Sequence, residues 1–155
     1  MIGCKPSQMP EGMPKPIKGV EVTVTQEGAP LADAAVTFVA EDGSTNKWFV
    51  RGKTGANGVA KMMTYGKFEG APAGKFKVVI TKREETPSKI TPPTGDDPNA
   101  VAAYQEAVEK EVRPLYDLVD PVYSSPKTTK VEVDISSGSL KHAIDVGKAV
   151  RVEMK

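Results

Sequence analysis

Val20, Val22 and Val24 alternate with Glu21, Thr23 and Thr25, and the same period of two returns at Val36, Phe38 and Ala40 against Thr37, Val39 and Glu41. Successive side chains of a strand point to opposite faces, so each run predicts a strand with one face in a core. Between the two runs Gly28 tolerates any φ and Pro30 fixes its own, which makes a turn and joins them as a hairpin. Residues 47–53 predict a strand carrying Trp48 and Val50 on one face. In the turn that follows, Asn57 and Gly58 both accept positive φ, the requirement of a type I′ hairpin. A strand is expected over 59–65, with its faces blurred by the Met62-Met63 pair, and 66–74 is a Gly/Pro-rich loop. Over 75–82 the alternation is clear, with Phe76, Val78 and Ile80 inward and Val79 on a partly covered outer face. Val131, Val133 and Ile135 give another strand, 140–146 a short one, and Val150, Val152 and Met154 a last one that places the C-terminal residues inside a sheet. The fold class is therefore mainly β: a β-sandwich in which Val22, Phe38, Phe76, Val133 and Val152 share one interior.

Two stretches depart from this rhythm. Residues 84–128 form an insertion in the sandwich of 18–155. Asp96 and Asp97 stand before Pro98, which is a helix start, and Val101, Tyr104, Ala107, Val108 and Val112 recur at helical spacing up to Arg113-Pro114. Beyond it, Leu115, Tyr116, Leu118, Val119, Val122 and Tyr123 form an apolar cluster expected to clamp the insertion onto the sandwich. The second stretch is 1–17, where Pro6, Pro10, Pro14 and Pro16 punctuate a polar tract that reads as a disordered tether.

Composition narrows the chemistry. A formal net charge of +1, with acids and bases interspersed, gives no electrostatic case for nucleic acid or acidic lipid. No apolar run reaches the length of about 18 residues that a membrane span needs. One cysteine, Cys4, and one histidine, His142, fall short of the roughly four ligands a zinc site takes, and they do not make a nucleophile–base pair. The acidic pairs Glu41-Asp42, Glu84-Glu85 and Asp96-Asp97 lack the spacing of a calcium loop. No cofactor or metal is expected, and no catalytic residue is assigned. Recognition remains: Trp48, Phe49, Tyr65 and Phe68 fall at strand ends or in loops, where aromatic rings can form a platform for sugars or a peptide. The competing place for Trp48 is the sandwich core, where a lone tryptophan more often sits, and that is the placement expected here.

Gly28, Pro30, Leu31, Ala34 and Val36, then Thr54 and Gly58, then Pro72, Gly74, Phe76 and Val78 follow one another in an order that resembles the carboxypeptidase regulatory-like domain. Gly55 stands where that family usually has aspartate, Phe76 where it has tyrosine, and Asp33 where glycine is common. The resemblance implies a transthyretin-like, immunoglobulin-like sandwich of about seven strands. Enzymes of that fold carry several histidines, and this chain has one. Ile2-Gly3-Cys4 also resembles the end of a bacterial lipoprotein signal, which implies lipid on Cys4, more than one acyl chain, and a place in the bacterial cell envelope. Together these resemblances imply a non-catalytic structural or binding module of the envelope whose partners are the membrane, through its anchor, and a carbohydrate or envelope protein. The alternative is an accessory domain that binds carbohydrate or peptide through Trp48, Tyr65 and Phe68; a hydrolase built around His142 comes last.

Overall fold

The computed structural model describes residues 10–43 and 47–154. Its strands form two facing sheets. In the first, β1 (Glu21–Gln26) is central: it pairs antiparallel with β2 (Ala29–Pro30) and β5 (Val59–Lys61), and parallel with β12 (Lys141–Asp145). The second runs in the order β11-β8-β3-β4-β6-β7, from Glu132–Ile135 through Gly74–Thr81, Ala35–Ala40, Val50–Lys53 and Met63–Thr64 to Phe68–Glu69. All of its neighbours are antiparallel.

The alternation fixes which residues face inward. Val20, Val22, Val24, Ala60 and Ile144 from the first sheet meet Val36, Phe38, Val50, Phe76, Val78, Ile80, Val133 and Ile135 from the second in one continuous core. Phe38 and Phe76 stack with ring centroids 5.4 Å apart. Four of the five residues expected to share this interior do so. Val152 does not: it is 40% exposed. The chain leaves the sandwich after buried Val146, turns at Gly147 (φ +77°), and forms β13 (Val152–Glu153) against β10 (Leu115–Asp117) instead. With β9 (Arg83–Glu85) these make a third, three-stranded sheet outside the core.

Two turns exchange roles relative to the sequence expectation. The two-residue hairpin loop with positive φ at both positions is Glu27-Gly28 (φ +53° and +81°), joining β1 to β2. At Asn57-Gly58 only Gly58 is left-handed (φ +77°); the Asn57 side chain instead accepts from the Val59 amide at 3.1 Å. Gly58 is demanded by space as well, since a Cβ there would lie 2.7 Å from the Val24 carbonyl oxygen. Asp33, in the position where the resemblance leads one to expect glycine, does adopt φ +59°. Asp145 locks the first hairpin to β12: its carboxylate accepts from Thr25 Oγ1 (2.8 Å), the Gly28 amide (3.2 Å) and the Gly147 amide (2.7 Å). These donors, the Thr25 hydroxyl foremost, hold its carboxyl below the usual aspartate range.

The proline-bearing segment differs from a free tether over residues 10–17. Met13 is buried, and Ile17 exchanges two backbone hydrogen bonds with Ala71 (2.8 and 3.2 Å) while packing against the core. An apolar residue at each of these two points offsets the cost of ordering a polar stretch. In the insertion, α1 (Pro98–Lys110) starts at the predicted cap, where the Asp97 side chain accepts from the Asn99 amide at 3.0 Å. It stops at Lys110, short of Arg113-Pro114, and none of its residues is fully buried. The clamp lies further on: Val119 joins the core and Tyr123, in a 3₁₀ turn over Pro121–Ser124, packs against it.

Candidate functional site

Trp48 is not part of the core. Residues 47–48 form a turn and bend, β4 begins only at Val50, and Val50 alone enters the interior while Trp48 and Phe49 stay half-buried. A strand running from 47 would have carried Trp48 inward with Val50; the late start removes that coupling. The Trp48 ring instead meets Tyr65 edge to face, with centroids 5.3 Å apart and an interplanar angle of 74°. Phe49 meets the same tyrosine at 5.5 Å. Two cations complete the cluster: Lys47 Nζ lies 4.9 Å from the centre of the Trp48 ring, and the Arg51 guanidinium 4.7 Å from that of Phe49.

Tyr65 is held at a backbone cost. It sits in the turn between β6 and β7 with φ +58°, left-handed for a bulky residue, and its amide donates to the Phe49 carbonyl at 2.7 Å. Such a conformation costs on the order of 1 kcal/mol and persists where the surroundings over-determine it, often at binding sites. The cluster is thus a small, half-buried aromatic surface that carries two positive charges. It can stack on an apolar ring face and attract an acidic group nearby.

Phe68, expected on the same platform, lies apart from it. It lines a shallow depression of about 290 Å³ with Lys15, Pro16, Lys18, Lys67 and Glu69. The structure therefore unites Trp48 and Tyr65 and separates Phe68 from both. Lys47 and Arg51 are the contributors that the aromatic pattern alone overlooked; their signal in the sequence is the interleaving of Lys47, Trp48, Phe49 and Arg51 within five positions.

Other candidate chemistry resolves as follows. His142, on β12 opposite Val22, places Nε2 3.2 Å from the Ser139 carbonyl oxygen and 3.4 Å from its hydroxyl. No carboxylate among the described residues bonds the ring to orient it as a base. Among the described residues no three His, Cys, Asp or Glu side chains gather into a metal-holding group, and no helix is long and apolar enough to cross a membrane. Besides Asp145, the groups with displaced titration are Lys77, raised, and Glu132, lowered, through their cross-strand hydrogen bond at 2.6 Å. Cys4 lies outside the described residues. No protein-family profile, curated protein or solved structure matches this chain.

Proposed function

We propose that this chain is a non-catalytic binding module of the bacterial cell envelope, held by lipid on Cys4, that packs a saccharide ring against Trp48 with Tyr65 set nearly perpendicular beside it. The observation that carries the reading is the position of the single tryptophan: outside the interior, against a tyrosine kept in a costly backbone conformation. A lone tryptophan that contributed only stability would gain more by burial in the core. Lys47 and Arg51 favour a saccharide bearing carboxylates, which suits the acidic glycans of an envelope. The envelope location draws its support from the lipoprotein-like residues around Cys4, and the transthyretin-like reading from the order of the three motifs around Gly28, Gly58 and Gly74. The lack of an oriented base at His142 favours binding over hydrolysis.

The test is calorimetric titration of the protein with soluble peptidoglycan fragments, glycan-only and peptide-only pieces separately. Wild type is expected to bind the glycan, and Trp48→Ala to lose that binding while keeping a wild-type circular dichroism spectrum. Binding of the peptide-only pieces alone, or equal binding by Trp48→Ala, would overturn the saccharide reading.

A further inference from the structure

The depression around Phe68 has a different character from the aromatic cluster. Lys15 and Lys18 of the N-terminal segment and Lys67, distant in sequence, line it together because the Ile17–Ala71 bridge lays that segment beside the β6–β7 hairpin. All three are exposed, and none of them enters an ion pair among the described residues. Glu69 is the one acid in the lining, and the half-buried Phe68 ring and Pro16 supply apolar surface between the cations. Glu69 offsets one of the three charges, which leaves the depression with an excess of positive charge that an anionic surface would complement.

We infer that this patch docks onto an anionic phospholipid surface, with Lys15, Lys18 and Lys67 on the headgroups and Phe68 at the interface. Charge complementarity selects the partner. Sequence position agrees, because Lys15 and Lys18 follow Cys4, the residue read as lipid-bearing, along the same N-terminal segment. A basic patch adds electrostatic attraction to anionic lipid beyond what acyl chains supply. Placed there, the patch would also fix the orientation of the domain relative to the bilayer. The inference rests on the envelope reading only for why a membrane is near; the patch can be tested without the lipid.

The experiment uses the full chain carrying Cys4→Ser, so that no acyl group contributes, in co-sedimentation with vesicles of phosphatidylcholine alone or mixed with phosphatidylglycerol. Partition into the mixed vesicles only is expected, falling about five-fold for each lysine changed to glutamine and disappearing near 0.5 M salt, where screening is within a few ångströms. Phe68→Ala should weaken it further, and inorganic phosphate at millimolar concentration should leave it intact. Equal partition into both vesicle types, no partition, or a Lys15→Gln/Lys18→Gln/Lys67→Gln variant that partitions like wild type would each overturn the inference. So would loss of binding to free phosphate, which would make the patch a phosphate site. The triple variant should still bind glycan fragments through Trp48, and mass measurement of wild-type protein from a bacterial membrane reports on Cys4, so failure here is separable from failure of the envelope reading.

Discussion

Gly70 is the position where a single methyl group would undo the most. Its φ is +104°, and a Cβ built there would lie 1.9 Å from the Ile17 carbonyl oxygen, 2.5 Å from the Ile17 carbonyl carbon and 3.0 Å from the Lys18 amide nitrogen. All three are backbone atoms, so no side chain can swing aside; the segment over 10–17 must move away. Gly70→Ala therefore sacrifices both Ile17–Ala71 hydrogen bonds, about 1 kcal/mol each. It also exposes Met13, 7% exposed in the fold, at about 1.5–3 kcal/mol. Conformational freedom regained by the released residues offsets part of this. Left-handed strain at alanine adds about 1–2 kcal/mol. The net expectation is a lower midpoint in urea denaturation, accompanied by new tryptic cleavage after Lys18 under native conditions; Lys15 precedes Pro16 and is not a trypsin site. Gly147→Ala is the control: its φ is +77° but nothing lies within 4 Å of its Cβ, so strain alone, about 1 kcal/mol, should appear without new cleavage. A Gly70→Ala protein with the wild-type midpoint and wild-type resistance at Lys18 would refute the docking of this segment.

Three further outcomes follow from the geometry. Phe38→Ala, in the core, should cost about 3–5 kcal/mol, whereas Trp48→Ala should cost no more than about 1.5 kcal/mol, the worth of its ring contacts; denaturation midpoints check both. Tyr65→Gly should relieve left-handed strain while losing two ring contacts, giving near-wild-type stability but weaker glycan binding by calorimetry. Asp145 ionises more readily folded than unfolded, so its contribution is fully present above the unfolded carboxyl range and declines as pH falls below about 4. Denaturation across pH should show the gap between wild type and Asp145→Asn narrowing on acidification, and a gap constant with pH would refute that role.

How much of this was legible in the sequence differs by element. β1, β3, β8 and β11 were readable because valines, phenylalanines and isoleucines alternate with Lys, Glu and Thr, and burial follows that alternation. The 59–65 stretch was blurred because Ala60, Met62 and Thr64 are the inward set, and a buried threonine reads as polar. Thr64 Oγ1 is satisfied by the Gly70 carbonyl at 2.9 Å. The chain also changes sheets there: β5 pairs with β1 and β6 with β4. Val152 shows that alternation reveals a preferred face without saying which sheet the strand joins. For the site, a strand expected from residue 47 carries Trp48 inward with Val50, but β4 begins only at Val50 and leaves both Trp48 and Phe49 half-buried. The lysine patch carried no local signal at all, because only the Ile17–Ala71 bridge brings Lys15 and Lys18 to Lys67.

The reading turns on where Trp48 sits and what covers it, and the chain has one tryptophan, so collisional quenching of its fluorescence reports on that residue alone. Acrylamide should quench the free protein readily, and saturating glycan fragments should shield the ring. A tryptophan already shielded in the free protein, or one whose quenching the fragments leave unchanged, would contradict the account.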